Sequence, residues 1–217
     1  MVLPILAAIA IALAAITHIW ALWWPAAVLV AAWIVYLVEA PRAFGKRADG
    51  RLAAFAWPVW APIFAYQWIS HEVVRRYSGE PVATEVAPGV WVGRRPRPGE
   101  LPAGIAIVVD LCCEFAAARA VRERGRYIAV PTLDARAPTP AEIARIVDAV
   151  VAAGGPAFIH CALGHGRSAT VAAAVLVRRG DATLDDVEAK MQALRPKIAL
   201  NERQRAALLA ATKLARG

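Results

Sequence analysis

Between Met1 and Val38 the chain carries no Asp, Glu, Lys or Arg. A stretch of that length without charge does not suit the surface of a soluble domain, so the first part of the chain points to a membrane. Charge begins at Glu39, whereas seven of the eight tryptophans (Trp20, Trp23, Trp24, Trp33, Trp57, Trp60 and Trp68) precede residue 71. Cysteine is scarce. Cys112, Cys113 and Cys161 are an odd number with neither disulfide-framework nor zinc spacing, which favours a reducing compartment. No His, Asp and Glu set has ligand spacing along the chain, so no metal and no cofactor are expected. The net charge of +8 comes without the basic–aromatic array of a nucleic-acid binder. No nucleic acid is therefore expected. Lys and Arg scattered over juxtamembrane loops and amphipathic helices suit anionic lipid headgroups, or simply a solvated basic surface. Internal repeats and low-complexity tracts are also missing. What remains is a 217-residue chain, 59% hydrophobic, long enough for one domain of ordinary size plus an appendage.

Val2 to Val38 as a single helix would run about 55 Å at 1.5 Å per residue, too long for one crossing of a bilayer core about 30 Å thick. Pro25, after Trp23 and Trp24, supplies a break at a residue type that favours the membrane boundary. Two helical segments, about 3–23 and 26–39, are expected as a transmembrane hairpin, the second being the shorter. A cleaved signal peptide is not expected, because there is no basic leading region and no clear cleavage context. The stretch PRAFGKRADGR (41–51) then brings Arg42, Lys46, Arg47 and Arg51, the signature of a cytoplasmic loop. A third apolar run, Leu52 to Ser70, holds Pro58 and Pro62 and ends in HEVVRR. Basic flanks on both sides favour an interfacial or re-entrant segment. The alternative is a third membrane helix with the amino terminus outside. Both arrangements keep the remainder in the cytoplasm, at an inner or plasma membrane. The expected division is a hairpin over 1–40, a basic loop with the third segment and linker over 41–80, and a globular portion over 81–217.

In the globular portion, GVWVGRR (89–95) reads as an edge strand and AIAIVVDL after Gly104 as a buried one. EFAAARAVRERG (114–125) predicts a helix closed by Gly125, and RYIAVP a third strand. Thr139, Pro140 and Glu142 begin a helix that Gly154 and Gly155 end. PAFIHC is a fourth strand, and helices follow at about 167–179, 183–194 and 201–215, with Asp181 and Thr183 as caps between the first two. Alternating strands and helices predict an α/β fold with a largely parallel central sheet flanked by helices. Its ligand would sit at the carboxyl ends of the strands.

That position holds FIHCALGHGRSAT (158–170). A cysteine between a strand and a helix N-terminus meets unpaired backbone N–H groups that stabilise negative charge, on a bound phosphate or on sulfur. Gly164 and Gly166 let the backbone of Ala162, Leu163, Gly164, His165 and Gly166 curl so that amides converge on one centre. Arg167 can fold back and grip two phosphate oxygens with its planar fork. Ser168 can donate a hydrogen bond to the Cys161 sulfur, and His160 is placed to support the loop through hydrogen bonds.

HCALGHGRS (160–168) resembles the signature of the cysteine-dependent protein tyrosine phosphatase superfamily: His-Cys, five residues, then Arg-Ser or Arg-Thr. The resemblance covers roughly residues 86–212 and none of the anchor. It implies a compact dual-specificity-phosphatase-like fold and hydrolysis of phosphate monoesters through a phosphocysteine, with Cys161 as nucleophile and no metal. It further implies an Asp general acid on a separate loop. Asp134 in YIAVPTLDARAPTP is the candidate, in a form more like the compact dual-specificity branch than the Trp-Pro-Asp loop of large tyrosine-specific enzymes. Asp110, ending the IVVDL strand, is the competitor, although in these folds that position more often braces the active-site loop. Asn201 and Gln204 occupy familiar spacings after the catalytic helix, with helix capping plus a surface glutamine as the other reading. Cys112 and Cys113 are strand-end core residues, or partners for an oxidised Cys161.

The compact size implies a shallow pocket, open to phosphoserine, phosphothreonine, lipid headgroup phosphates or phosphorylated polyols. Leu163 and His165 stand where lipid phosphatases of the superfamily often carry Lys, which weighs against highly charged phosphoinositides. His165 adds positive charge at mildly acid pH, or is simply an exposed loop residue. The anchor favours a headgroup phosphate, in the manner of the phosphatidylglycerophosphate phosphatases of this superfamily. A membrane-tethered dual-specificity protein phosphatase is the alternative. A non-catalytic phosphate-binding adaptor and a rhodanese-like sulfurtransferase are more distant ones.

Overall fold

The computed structural model describes residues 2–214. Two apolar helices open it, α1 (Val2–Thr17) and α2 (Trp23–Leu37), joined by a single 3-10 turn at Trp20–Leu22. The break lies earlier than Pro25. The Thr17 hydroxyl donates to the Leu13 carbonyl at 2.6 Å, and His18 takes a left-handed φ of 53°. Pro25 falls within the first turn of α2, where its missing N–H removes no intrahelical bond. Counted with its leading 3-10 turn, the second segment, Trp20–Leu37, is by length and composition able to cross a bilayer, and Leu3–Thr17 is shorter. A 22-residue helix, α3 (Ala56–Tyr77), follows a connection over 38–55 in which Phe44, Gly45, Lys46 and Gly50 are buried, and it accommodates Pro62 in its interior.

Five strands form one sheet: β1 (Ala83–Ala87), β2 (Val90–Arg94), β3 (Ile107–Cys112), β4 (Arg126–Thr132) and β5 (Ala157–Cys161). Their order is β1-β2-β5-β3-β4, with β1 antiparallel to β2 and the other neighbours parallel. The expected edge strand is thus an inner one. ATEVA supplies the edge through a tight connection at Pro88-Gly89, a pairing that the exposed Glu85 conceals in the sequence. Both faces of the inner strands are covered. Ile107, Val109 and Leu111 of β3 and Ala157, Ile159 and Cys161 of β5 point into the main core. Val108 and Phe158 point into a second one with Val121. Alternation through two faces fixes where Cys161 emerges.

Helices α5 (Pro140–Ala152), α6 (Arg167–Arg179) and α8 (Glu202–Leu214) pack together on the main core. The α5 start is a capping box, with Thr139 accepting from the Glu142 amide at 3.2 Å and the Glu142 carboxylate from the Thr139 amide at 2.9 Å. Helix α7 (Val187–Leu194) begins four residues later than expected. Thr183 and Asp186 exchange side-chain-to-backbone bonds of 2.8 and 3.3 Å in a turn, and Asp181 caps nothing. The helix expected over 114–125 shrinks to the single turn α4 (Arg119–Arg122). Residues ahead of it give their backbone to distant partners instead: the Phe115 carbonyl to Lys46, the Ala116 carbonyl to Arg95, and the Ala117 amide to the Gly50 carbonyl.

The loop between α2 and α3 is more than a charged tether. Lys46 is buried and bonds Asp110 at 2.8 Å, so it does not serve as a lipid-facing loop charge. Val28, Ala32 and Val35 of α2 share a buried cluster with Ile63 and Phe64 of α3 and with Cys113 and Leu133. The apolar helices therefore rest on the strand ends where the site lies.

Candidate active site

Residues 162–166 curl between β5 and α6, and the carbonyls of this turn are bound on the outside. Ala162 accepts from the Arg95 amide at 3.1 Å, His165 from the Ala199 amide at 3.2 Å and Gly166 from the Thr170 amide at 2.8 Å. The buried Arg195 takes two more, Leu163 at 3.1 Å and Gly164 at 3.2 Å, and anchors itself on Pro81 and Thr84. With its acceptors facing away, the loop's amides are left for the centre, where the Gly164 N–H meets the Cys161 sulfur at 3.2 Å. Gly164 makes the curl feasible. Its φ is +82°, and a Cβ there would lie 2.5 Å from the Gly93 carbonyl carbon. Ser168 Oγ lies 3.4 Å from the same sulfur.

Arg167 is only 2% exposed. Glu114 holds it end-on, at 2.6 Å to Nη2 and 3.0 Å to Nη1, and Nη1 also donates to the Thr132 carbonyl at 2.8 Å. The edge left open is the side-on pair of Nε, which has no partner, and Nη2, which lies 3.3 Å from Asp134. An anion at the centre of the loop can take that edge bidentately. Burial alone would push the Glu114 carboxyl up, but the Arg167 charge and hydrogen bonds outweigh it and hold it below the ordinary range. Neither Glu114 nor Arg195 stood out in the sequence. The faint signals were an acid two residues past the end of β3 and an arginine just before Pro196.

Asp134 sits on the loop after β4 with its side chain 73% exposed, lining the same cavity as Cys161 and Arg167. Asn201 and Gln204 steady this loop. The Asn201 amide donates to the Ala135 carbonyl at 3.0 Å and the Gln204 amide to the Arg136 carbonyl at 3.1 Å. They also bond each other's backbone at 3.0 and 3.1 Å, at the start of α8. Gln204 is buried rather than a surface residue, and it fills the space where a Gly166 Cβ would lie, 2.8 Å from its amide nitrogen.

Asp110 is not in the cavity. It accepts from Lys46 at 2.8 Å, Tyr127 OH at 2.6 Å and the Cys112 amide at 2.9 Å. Burial opposes its charge, but Lys46, with its neighbours, wins and holds the carboxyl far below the usual range. His160 pairs with Asp110 across β3 and β5, yet its ring lies 3.9 Å away and neither nitrogen has a hydrogen-bond partner. It stacks on Phe158, with the Cys161 backbone beside its ring. Burial keeps it neutral. Asp110, Cys112 and His160 bring ligand atoms within 4.8 Å of one another, a proximity invisible along the chain, and Asp110 among them is already paired with the Lys46 ammonium at 2.8 Å. His165 is half-buried against Glu80 at 2.8 Å, and burial lowers its pKa despite that partner. Cys112 and Cys113 are buried free thiols, pushed well up by desolvation.

The cavity measures about 440 Å³. Cys161, Arg167 and Asp134 lie among its lining residues, as do Leu3 and Leu6 of α1, Tyr36 of α2 and Ile63 of α3. No curated protein sequence matches the chain. Among solved structures, Tk-PTP in its active form is similar, with 24% identity, coverage of 61% of this chain and 97% of that one, and a TM-score of 0.54. PTPMT1 in complex with PI(5)P has 19% identity, coverage of 62% and 98%, and a TM-score of 0.54. A variant of human DUSP28 has 23% identity, coverage of 63% and 98%, and a TM-score of 0.54. Likeness at these identities establishes the fold. The family model for the dual specificity phosphatase catalytic domain matches residues 104–213, about half of the chain. A strand-to-helix cysteine loop of this geometry within that match leads to one conclusion: the chain belongs to the dual specificity phosphatase family, and it is a cysteine-dependent phosphatase of phosphate monoesters.

Proposed function

We propose that this phosphatase is membrane-anchored and acts on a phospholipid headgroup phosphate, such as that of phosphatidylglycerophosphate. The supporting observation is the cavity itself: its floor is the Cys161 loop and Arg167, and part of its wall is Leu3, Leu6 and Ile63 from the apolar helices. A substrate with a phosphate at one end and acyl chains at the other matches both surfaces. Residues 1–40 serve as a membrane hairpin, 41–80 as loop and interfacial segment, and 81–217 as the catalytic portion facing the cytoplasm. Outward-facing Trp20, Trp24, Trp57 and Trp68 support membrane contact. PTPMT1, a fold neighbour, has been solved with the phosphoinositide PI(5)P bound, which is consistent with a lipid for this architecture.

In this reading the Cys161 sulfur attacks phosphorus, forming an S–P bond as the ester P–O bond breaks. Asp134 delivers its proton to the departing oxygen. Loop amides and the open edge of Arg167 hold the equatorial oxygens. Asp134 then takes a proton from water as that water attacks phosphorus, and the S–P bond breaks to release inorganic phosphate. Ser168 donates toward the sulfur as it leaves.

The test is turnover by the full chain in detergent micelles, comparing phosphatidylglycerophosphate, phosphoinositides, a phosphopeptide and p-nitrophenyl phosphate. Phosphatidylglycerophosphate is expected to be the best substrate, and Cys161→Ser to abolish all turnover. Selective hydrolysis of the phosphopeptide would overturn the lipid assignment in favour of a membrane-tethered protein phosphatase.

A further inference from the structure

Helix α3 lies wholly outside the residues that match the phosphatase family, yet one of its faces runs along the catalytic cavity. Gln67, Ser70, His71 and Val74 line it, at the i, i+3, i+4, i+7 spacing of a single helical face. Two of these side chains are unusual. His71 is only 4% exposed, and neither ring nitrogen has a hydrogen-bond partner. The buried Oε1 of Gln67 also has none. Buried polar atoms are almost always partnered, and two orphaned side chains one turn apart, on the wall of one cavity, are a specific departure.

The surrounding groups do not satisfy them. Glu72 Oε1 is 3.8 Å from His71 Nδ1, beyond hydrogen-bond reach, and the Glu72 carboxylate is committed to Arg75 at 2.8 Å and Arg97 at 2.7 Å. Phe115 packs against the imidazole at 5.3 Å and offers no polar atom. The Ala162 carbonyl, within the phosphate loop, is the one polar group turned toward the ring N–H, and it leaves the other ring nitrogen and Gln67 Oε1 without a donor. The unmet atoms therefore line the same cavity as Cys161 and Arg167, one and two turns along α3 from the apolar Ile63.

Their chemistry selects a ligand. Gln67 Oε1 only accepts, and a neutral imidazole brings one acceptor and one donor. Two acceptors and one donor are not met by a second phosphate, whose oxygens would leave both acceptors empty. They are met by hydroxyl groups, which donate and accept. We propose that Gln67 and His71 form a hydroxyl-recognising subsite for the non-reacting part of the phosphate monoester, a short polyol such as glycerol. This rests on the reading of Cys161 and Arg167 as the centre at which the phosphate reacts. It assigns substrate selection to a helix that the catalytic family does not supply.

The test compares substrates differing only in hydroxyls, using the full chain in detergent micelles. The soluble pair is sn-glycerol 3-phosphate against n-propyl phosphate. The lipid pair is phosphatidylglycerophosphate against its analogue with propane-1,3-diol in place of the terminal glycerol. Wild type is expected to favour the glycerol-bearing member, and His71→Phe or Gln67→Met to lower that ratio of kcat/KM by about tenfold or more. Selection in the soluble pair alone assigns the subsite to free polyol phosphates, and selection in the lipid pair assigns it to a headgroup. An unchanged ratio in both pairs for both variants overturns the proposal. Melting temperature separates recognition from architecture. Removing an unpartnered buried polar group breaks no protein hydrogen bond, so Gln67→Met is expected to melt at or above the wild-type temperature. A lower melting point with an unchanged ratio would mark Gln67 as structural. The catalytic reading is tested separately by Cys161→Ser, since retained turnover there would sink the phosphocysteine route whatever the ratios show.

Discussion

Arg167 and Glu114 form a buried pair whose geometry decides how phosphate can be held. End-on contact with Glu114 locks the guanidinium plane and leaves the Nε–Nη2 edge for the ligand. Removing one member of such a pair leaves the other charged and uncompensated, which costs about 3 kcal/mol. Glu114→Gln is therefore expected to lower unfolding stability by roughly that amount in urea titrations, with kcat/KM for p-nitrophenyl phosphate falling as the fork loses its plane. Stability that survives unchanged would mean that the pair is not held as described. The same pair and the Asp110–Lys46 pair set an acid limit. Both carboxyls have folded pKa values below their unfolded ones, so the unfolded chain binds the extra protons. Stability from these groups is full above about pH 4.5 and is lost as pH falls below the unfolded values. Asp110→Asn is expected to flatten that acid slope, measured by urea unfolding between about pH 3 and 6.

The phosphate loop works as a unit because its carbonyls are tied outward and its amides inward, and Gly164 is where that arrangement is most easily broken. Gly164→Ala must put a side chain at φ +82° and 2.5 Å from backbone that cannot yield. Turnover is expected to drop about a hundredfold or more, with the cost appearing in kcat, because misplaced amides fail to meet the transferring phosphoryl group. Wild-type kcat in this variant would mean that the curl is not needed. The Asp134 loop depends in turn on Asn201 and Gln204. Asn201→Ala should slow alkyl phosphates several-fold more than p-nitrophenyl phosphate, whose leaving group needs little protonation. Equal slowing of both would detach Asn201 from the general acid. Much of this was legible along the chain, because α5, α6 and the curl are written in local signals: Thr139 and Glu142 at a cap, Gly164 and Gly166 around a cysteine. What stayed hidden depends on distant partners. Residues 114–118 read as helix until Lys46, Arg95 and Gly50 claim their backbone, and β1 gains strand character only by pairing with β2. Glu114 and Arg195 were hidden for the same reason, since their partners lie 53 and 31–32 residues away.

The apolar helices and the catalytic portion are not beads on a string. Ile63 and Phe64 are buried together with Cys113 and Leu133, and Lys46 reaches under the loop to Asp110, so α2, α3 and the strand ends share one interior. Six of the eight tryptophans (Trp20, Trp23, Trp24, Trp33, Trp57 and Trp68) are exposed, Trp57 while its ring also meets Phe64 edge-on at 5.9 Å. Indole rings displayed in this way favour the headgroup boundary. If the outward face meets lipid, reconstitution into vesicles carrying brominated acyl chains should quench most of the tryptophan emission. The residue that survives should come from Trp60, buried and bonded to the Ala43 carbonyl at 2.9 Å, and from Trp91 on β2. Trp60→Phe and Trp91→Phe would then remove the unquenched fraction while leaving the quenched one in place. Emission indifferent to bromine would remove the membrane from the picture, and with it the argument that the apolar wall beside Cys161 receives acyl chains. Strong quenching with weak hydrolysis of lipid phosphates would keep the anchor but return the cavity to a soluble substrate. The two measurements together therefore separate where the enzyme sits from what it cleaves.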